Sequence, residues 1–371
     1  MTVVWSAADA GWMDAALALA RRQLGAVWPN PAVGAILVKD GRVLARGVTQ
    51  SGGRPHAERV ALDRAGAEAV GATLYVTLEP CNHHGVTPPC TDALLEAKVA
   101  RVVVATEDPD PRVNGSGIAR LRAHGVQVDV GLRREQADEV NAGFFCRICQ
   151  GRPLVTLKLA TSLDGRIAAP GGVSKWITGP AALARAHLSR ARHDAVLVGA
   201  QTALADDPEL TCRLPGLSHR SPVRVVADGR LRLPLTHKLV QSARNARTWL
   251  ITRADAPAER LQAFATAGLE IITATPAVEG GVEPAAALAA LGQRGITRLM
   301  VEGGGQLAAS LVAADLVDRI EWYRAPILLG GDGAAAVAGL DVASPAAAPR
   351  FVRTGIEHRG DDVVESYRRR G

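Results

Sequence analysis

Aromatic side chains are scarce, at 4% of the 371 residues, so the core must rest on Val, Leu, Ile and Ala. No apolar run approaches the ~18 residues that a membrane-spanning helix needs. Residues 1–22 lack the basic-then-apolar layout of a secretory signal, because Asp9 and Asp14 interrupt the stretch. Cysteine is sparse and odd in number. Cys81, Cys90, Cys146, Cys149 and Cys212 make a poor disulfide framework and point to metal ligation or to free thiols in a reducing compartment. Nor is there a basic block longer than Arg368-Arg369-Arg370. With so few aromatics to stack on bases, nucleic acid is the weaker explanation of the net charge of +6, and phosphorylated small molecules are the stronger one. The expectation is a cytoplasmic protein with neither a membrane nor a nucleic-acid partner.

What is present is ordinary globular composition, 47% hydrophobic and 22% charged, over a length that suits two domains. Apolar residues recur at helical spacing from Asp9 to Arg22. Two strand-like runs, Ala32–Val38 and Arg42–Val48, flank Asp40-Gly41, a strong hairpin signal. Helix-like and strand-like segments then alternate: Ala57–Ala65, Thr73–Leu78, Asp92–Ala97, Arg101–Ala105, Ile118–Ala123, Val126–Val130 and Arg133–Gln150. This is the alternation of an α/β layer structure. The breaker Gly151-Arg152-Pro153 divides the chain into residues 1–150 and 151–371. The second part repeats the pattern with strands expected near 154–160, 195–198, 223–227, 248–251, 270–274 and 298–301, helices at 181–192 and 306–313, and an antiparallel end. The Ala/Gly-rich stretch 331–349 reads as a surface connection.

The clearest chemistry is His56-Ala57-Glu58 followed by Pro80-Cys81 and Cys90. One imidazole and two thiolates suit zinc, and three protein ligands leave a fourth position open, as catalytic zinc sites do. Glu58 need not ligate and is placed to carry protons. Cys81 and Cys90 lie beside expected helix starts, which favour thiolates, and Thr87-Pro88-Pro89 reads as an N-cap with proline behind it. A rival reading is a structural site using Cys81, Cys90, Cys146 and Cys149, but Cys146-x-x-Cys149 falls in a helix-like run and leaves His56 and Glu58 without purpose. A second rival is a zinc-stabilised binding module without catalysis. Cys212 reads as an inert thiol.

His-x-Glu with Pro-Cys and a further Cys is the pattern of zinc deaminases. Here eight residues separate the thiolates, and the full string is Pro29-Asn30-Pro31-Ala32-Val33-Gly34, His56-Ala57-Glu58, then Glu79-Pro80-Cys81-Asn82-His83-His84-Gly85-Val86-Thr87-Pro88-Pro89-Cys90. In this it resembles the bifunctional riboflavin-biosynthesis deaminase/reductase family. The resemblance implies one zinc per chain on His56, Cys81 and Cys90, proton shuttling by Glu58, and substrate contacts at Asn30 and His83. Where many relatives carry a histidine, this chain has Thr49.

In the second part, Val301-Glu302-Gly303-Gly304-Gly305-Gln306-Leu307 runs from a strand through glycines into a helix. Such a turn can take a phosphate, although a purely structural turn reads equally well, and it is not the Gly-x-Gly-x-x-Gly fingerprint. The stretch from Leu157 onward is similar to the reductase domain of the same family, through Leu157-Lys158-Leu159-Ala160-Thr161-Ser162-Leu163-Asp164-Gly165, Ser174-Lys175-Trp176-Ile177-Thr178 and Asp206-Asp207-Pro208-Glu209-Leu210-Thr211-Cys212-Arg213. The resemblance implies an N-terminal cytidine-deaminase-like three-layer domain and a C-terminal dihydrofolate-reductase-like domain. NADPH is expected on Ala160, Trp176, Thr202, Asp206 and Gly303 to Leu307. The substrate, a phosphorylated pyrimidine, is expected on Lys158, Ser174, Arg190, Leu210, Arg213 and Glu302, with the two arginines as forks for phosphate. Asp228-Gly229 stands where some relatives have a hydroxyl residue. A homo-oligomer is expected.

Overall fold

The computed structural model describes residues 4–172, 177–277 and 280–370. Two compact units divide the chain, Met1–Gly151 and Arg152–Gly371.

The first unit runs α1 (Ala7–Arg21), β1 (Gly34–Lys39), β2 (Arg42–Val48), α2 (Ala57–Ala65), β3 (Thr73–Val76), α3 (Cys90–Glu96), β4 (Arg101–Val104), α4 (Ser116–Ala123), β5 (Gln127–Val130) and α5 (Arg134–Gln150). Its sheet has the order β2-β1-β3-β4-β5. β1 pairs antiparallel with β2 and β3, and β3, β4 and β5 are parallel. Alternation of side chains along the strands feeds two cores. Leu37, Leu74, Val102 and Val104 meet α2, α3 and α4 through Ala57, Ala61, Leu94 and Leu121. Ile36, Tyr75 and Val103 meet α1 and α5 through Met13, Leu17, Ala137 and Val140 on the opposite face. The result is a three-layer sandwich. The hairpin turn has positive φ at both Asp40 and Gly41, as the sequence predicts. Gly47 lets α2 lie against β2: a Cβ there would stand 1.9 Å from the Ala57 carbonyl oxygen.

The second unit continues with β6 (Leu154–Thr161), β7 (Arg166–Ala168), α6 (Pro180–Ala191), β8 (Ala195–Gly199), α7 (Ala200–Asp206), β9 (Val223–Ala227), α8 (Lys238–Gln241), β10 (Thr248–Arg253), α9 (Ala258–Ala267) and β11 (Glu270–Ala274). It ends with α10 (Pro284–Gln293), β12 (Arg298–Val301), α11 (Gly305–Ala313), β13 (Arg319–Arg324), β14 (Ala334–Ala335), β15 (Phe351–Arg359) and β16 (Asp362–Arg369). The large sheet has the order β11-β10-β9-β8-β12-β6-β13-β16-β15. It is parallel from β11 to β13, and the last three strands are antiparallel. The chain leaves β6, builds outward from β8 to β11, and returns to insert β12 between β8 and β6. That reversal opens a crevice at the carboxyl ends of these three strands, where ligands bind in open α/β sheets.

Two segments differ from the sequence expectation. The polar turn after β6 leads into β7, and β7 pairs with β14. The 331–349 stretch is therefore more than a surface connection: Ala336 is buried, and Gly305 admits the backbone of Ala335, whose carbonyl oxygen lies 2.5 Å from where a Cβ would stand. Small side chains allow this approach, and their low hydrophobicity hid it.

Candidate functional site

In the first unit α2 begins directly after His56, so the imidazole stands at the mouth of the helix and Glu58 sits in its first turn. The second ligand segment follows β3, and the third ligand, Cys90, opens α3 with Pro89 at the N-cap. The helix thus starts later than a Thr87 cap would imply. Cys81 is not in a helix start of its own, but its sulfur accepts the Cys90 backbone N–H at 3.3 Å, at the N-terminus of α3. His56 Nδ1 lies 3.6 Å from Cys81 Sγ and 3.4 Å from Cys90 Sγ. Among the described residues these three are the group whose donor atoms converge closely enough to hold a metal.

Electrostatics follow from burial and sharing. The Cys81 thiol is pulled down to about 4, first by the hydrogen bond from Cys90 and, against burial, by His56. Cys90 is pushed up, first by Cys81 and then by burial. His56 is raised, chiefly by its hydrogen bond to Cys81. Glu58 is 4% exposed, and burial pushes its carboxyl up, which suits a group that takes and returns a proton. The donor set fits zinc: one nitrogen, two sulfurs that a cation would hold as thiolates, and an open fourth position.

Neighbouring residues brace this cluster. Asn30 Nδ2 donates to the Gly53 carbonyl at 2.9 Å and lies 3.4 Å from His56 Nε2. Glu79, also buried, accepts the backbone N–H groups of Asp108, Gly115, Gly117 and Ile118, tying the Pro80-Cys81 segment to the start of α4. Asn82 bonds Thr91, Arg120 and Ser116. His83 is half-buried and its Nδ1, buried, has no partner. Thr49 is turned inward: it is buried, and its hydroxyl accepts the Val33 N–H at 3.0 Å. Cys146 and Cys149 lie on α5, one buried and one exposed, and are no part of the metal group; Cys212 is buried. Sequence reasoning had no role for Glu79 or Asn82, although both flank the ligand Cys81 segment in the chain.

In the second unit Lys158, Ala160, Thr202 and Gly303 to Gly305 lie on or next to β6, β8 and β12. Lys158 and Ala160 are two apart on β6 and share a face. Thr202 lies on α7 after β8, and its Oγ1 accepts the Gly304 N–H at 3.0 Å. Gly304 is the N-cap of α11, and a Cβ there would meet only Thr202 Oγ1, at 3.4 Å, so the turn is open to a ligand on that side. The first N–H groups of a helix lack intrahelical partners and suit a phosphate. This helix mouth fits the pyrophosphate of a dinucleotide. Asp206 is exposed at the end of α7, and Leu210 has its side chain in the core, which leaves its backbone for a ligand. Ser174 and Trp176 lie outside the described residues.

Arg190 departs from the expected free fork. Its Nε and Nη2 reach the two oxygens of Glu302 at 2.5 and 2.8 Å, and Nη1 donates to the Thr211 carbonyl. Both side chains are largely withdrawn from solvent, which strengthens the attraction between carboxylate and guanidinium. Burial works against the charged form of Glu302, yet Arg190 and then Lys158 hold it down to about 2. Lys158 Nζ is 4.0 Å from Glu302, and burial lowers its pKa. Arg213 is half exposed, and among the described residues its guanidinium pairs with Glu209 through Nη1 at 3.3 Å, which leaves other donors for an anion.

Comparison with known proteins finds a match for each unit. Residues 6–106 match the cytidine and deoxycytidylate deaminase zinc-binding region, and residues 153–364 match the RibD C-terminal domain. The chain is 40% identical over 361 residues to the riboflavin biosynthesis protein RibD of Aquifex aeolicus, covering 97% of this chain and 98% of that one. The chain belongs to the RibD family. The Escherichia coli RibD is 41% identical over 368 residues, covering 96% and 98% of the two chains. The solved Acinetobacter baumannii RibD is 36% identical with a TM-score of 0.88, over 98% of this chain and 99% of that one. A Thermotoga maritima structure described as a diaminohydroxyphosphoribosylaminopyrimidine deaminase/5-amino-6-(5-phosphoribosylamino)uracil reductase is 35% identical, with a TM-score of 0.85 over the same shares. As a RibD, the protein is a bifunctional deaminase and reductase of riboflavin biosynthesis, acting on a small molecule, with a zinc-binding deaminase domain and an NADPH-using reductase domain. The two parts are cytidine-deaminase-like and dihydrofolate-reductase-like in fold. No helix among the described residues is long and apolar enough to cross a membrane.

Proposed function

We propose that residues 1–150 deaminate a 2,5-diamino-6-ribosylamino-pyrimidinone 5′-phosphate and that residues 151–371 then reduce its ribosyl group to ribityl. The observation that carries this reading is the convergence of His56, Cys81 and Cys90 beside the buried carboxyl of Glu58. Zinc, when bound by these three residues, supplies Lewis acidity that brings the pKa of water down to about 7. Glu58 takes one proton of the attacking water and delivers it to the ring nitrogen; it then takes the proton of the hydroxyl added at C2 and gives it to the 2-amino group, so that the C–N bond breaks, a carbonyl forms and ammonia leaves. Asn30 and His83 hold the pyrimidine ribosylamine in place. For the second step NADPH, when bound along the Gly303–Leu307 helix mouth with Ala160, Thr202 and Asp206, supplies the hydride. Lys158, Glu302 and the Arg190 that fixes Glu302 orient C1′ of the opened ribose, and Arg213 takes the phosphate.

The test is to incubate the purified protein with this substrate and follow ammonia release and NADPH oxidation separately. Ammonia release that depends on zinc, followed by stoichiometric NADPH oxidation, supports the reading; NADPH oxidation without prior ammonia release overturns the order. We further infer a cytoplasmic homo-oligomer. The five unbridged cysteines suit a reducing compartment, and the edge strand β15, which exposes Val352 and Ile356, suits self-association. Light scattering of the intact protein measures the assembly.

A further inference from the structure

A dianionic substrate needs a cation near the deaminase site, and most of the guanidinium groups there are neutralised. Arg112 grips Asp110 through Nε and Nη2, and Arg120 pairs with Asp92. Thr49 faces the interior and brings no charge. Arg54 is different. It stands two residues before the ligand His56, is half-buried, and has no carboxylate within ion-pair distance among the described residues. Its Nη1 donates to the Thr87 hydroxyl at 2.7 Å, across to the loop that joins Cys81 to Cys90. Gly85 of that loop lies between two donors: a Cβ on it would stand 3.4 Å from Arg54 Nη2 and 4.0 Å from His83 Nε2. The other ring nitrogen of His83 is the buried, unpartnered Nδ1.

A guanidinium, an imidazole and a hydroxyl thus surround one glycine at the rim of the metal cluster. Thr87 Oγ1 accepts from Arg54, which leaves its own hydrogen to donate. Arg54 has Nε and Nη2 unused by any protein acceptor among the described residues, and those are two neighbouring donors of the planar fork that matches two phosphate oxygens. We propose that Arg54 anchors the phosphate of the deaminase substrate, with the Thr87 hydroxyl and the His83 ring beside it. This rests on the phosphorylated substrate named above. Anchoring a group remote from the reacting carbon fixes the ring against Glu58 and the metal ligands, so Arg54 sets which pyrimidines are accepted as well as how tightly they bind.

The experiment compares kcat/KM for ammonia release from the ribosylamine 5′-phosphate and from its dephosphorylated form, in the holoenzyme and in Arg54→Ala, with zinc measured in both. The wild type should prefer the phosphorylated substrate. Arg54→Ala should lower that preference about 10- to 100-fold, mainly through KM, with one zinc retained. Arg54→Lys, which keeps the charge and loses the fork, should fall between them. It also decides the matter if the alanine variant does not fold. An unchanged preference overturns the proposal, as does an equal loss on both substrates, which would make Arg54 a strut for the loop. A wild type that deaminates both forms equally leaves the proposed function standing and removes this inference alone. A wild type that deaminates neither removes the proposed function, and the inference with it.

Discussion

Thr91 Oγ1 donates to Asn82 Oδ1 at 2.9 Å, and these two residues directly follow the sulfur ligands Cys90 and Cys81. The bond ties together the two segments that carry the sulfurs. Arg120 Nη1 donates to the same oxygen at 3.0 Å, which joins α4 to the brace. Asn82→Ala removes the shared acceptor. Residues that orient metal ligands are typically worth about 10- to 100-fold in metal affinity, and that is the loss expected here. Chelator competition measures it, and the reductase step should not change.

Glu58 supplies no metal ligand, so Glu58→Gln should keep one zinc per chain while ammonia release falls by about 100- to 10,000-fold, the usual worth of a positioned acid–base group. Loss of zinc from this variant would make Glu58 a ligand. Reduction of independently supplied deaminated substrate is the control for folding.

The residue types of this cluster were legible because few side chains bind zinc and because His-x-Glu and Pro-Cys are short motifs that carry their chemistry in the residue types themselves. The braces were not. Asn82 meets Ser116 and Arg120, and Glu79 meets Gly117, across separations that no local pattern encodes. In the second unit the same limit is sharper. Arg190 read as a free phosphate fork because Glu302, its partner, is 112 residues away. The strands were readable from continuous Val, Leu and Ile runs, whereas β14, two alanines in a glycine-rich stretch, carries no such signal.

Cys146 and Cys149 face different surroundings on α5, so replacing both by serine should leave one zinc per chain. Metal analysis of the purified variant checks this. Loss of metal would revive a four-sulfur site.

His193 gives a pH dependence that belongs to folding. It is buried and neutral: Nδ1 lies 2.7 Å from the Ser189 carbonyl and Nε2 lies 3.0 Å from Thr156 Oγ1. Burial, and then Arg298, lowers it to about 4 from 6.5. Above pH 6.5 both folded and unfolded states hold it neutral. Below that, the unfolded chain takes a proton that the folded one refuses, so stability falls by up to about 1.4 kcal/mol per pH unit until the folded pKa near 4 is reached. Denaturant melts between pH 7 and pH 4 should show this slope for the second unit. His193→Gln, itself destabilising at pH 7, should flatten it.

Arg190 and Arg213 should separate two kinds of loss in the reductase step. Arg213 has free donors at the surface, so Arg213→Ala should raise KM for the phosphorylated substrate about 10- to 100-fold and leave kcat near its original value. Arg190 holds both oxygens of Glu302, and its removal leaves a largely buried carboxylate with Lys158 4.0 Å away as its remaining ion-pair partner among the described residues. The Glu302 pKa must then rise from about 2, because burial, the largest influence on it, is no longer opposed by the guanidinium. Arg190→Ala should therefore lower kcat and move the acid limb of the kcat profile upward in pH. Arg190→Lys should restore little, since an ammonium cannot reproduce the paired contacts to both carboxylate oxygens. Steady-state reduction from pH 5 to pH 9 with each variant reads both effects. A pure KM loss with an unmoved acid limb in Arg190→Ala would return that arginine to the phosphate.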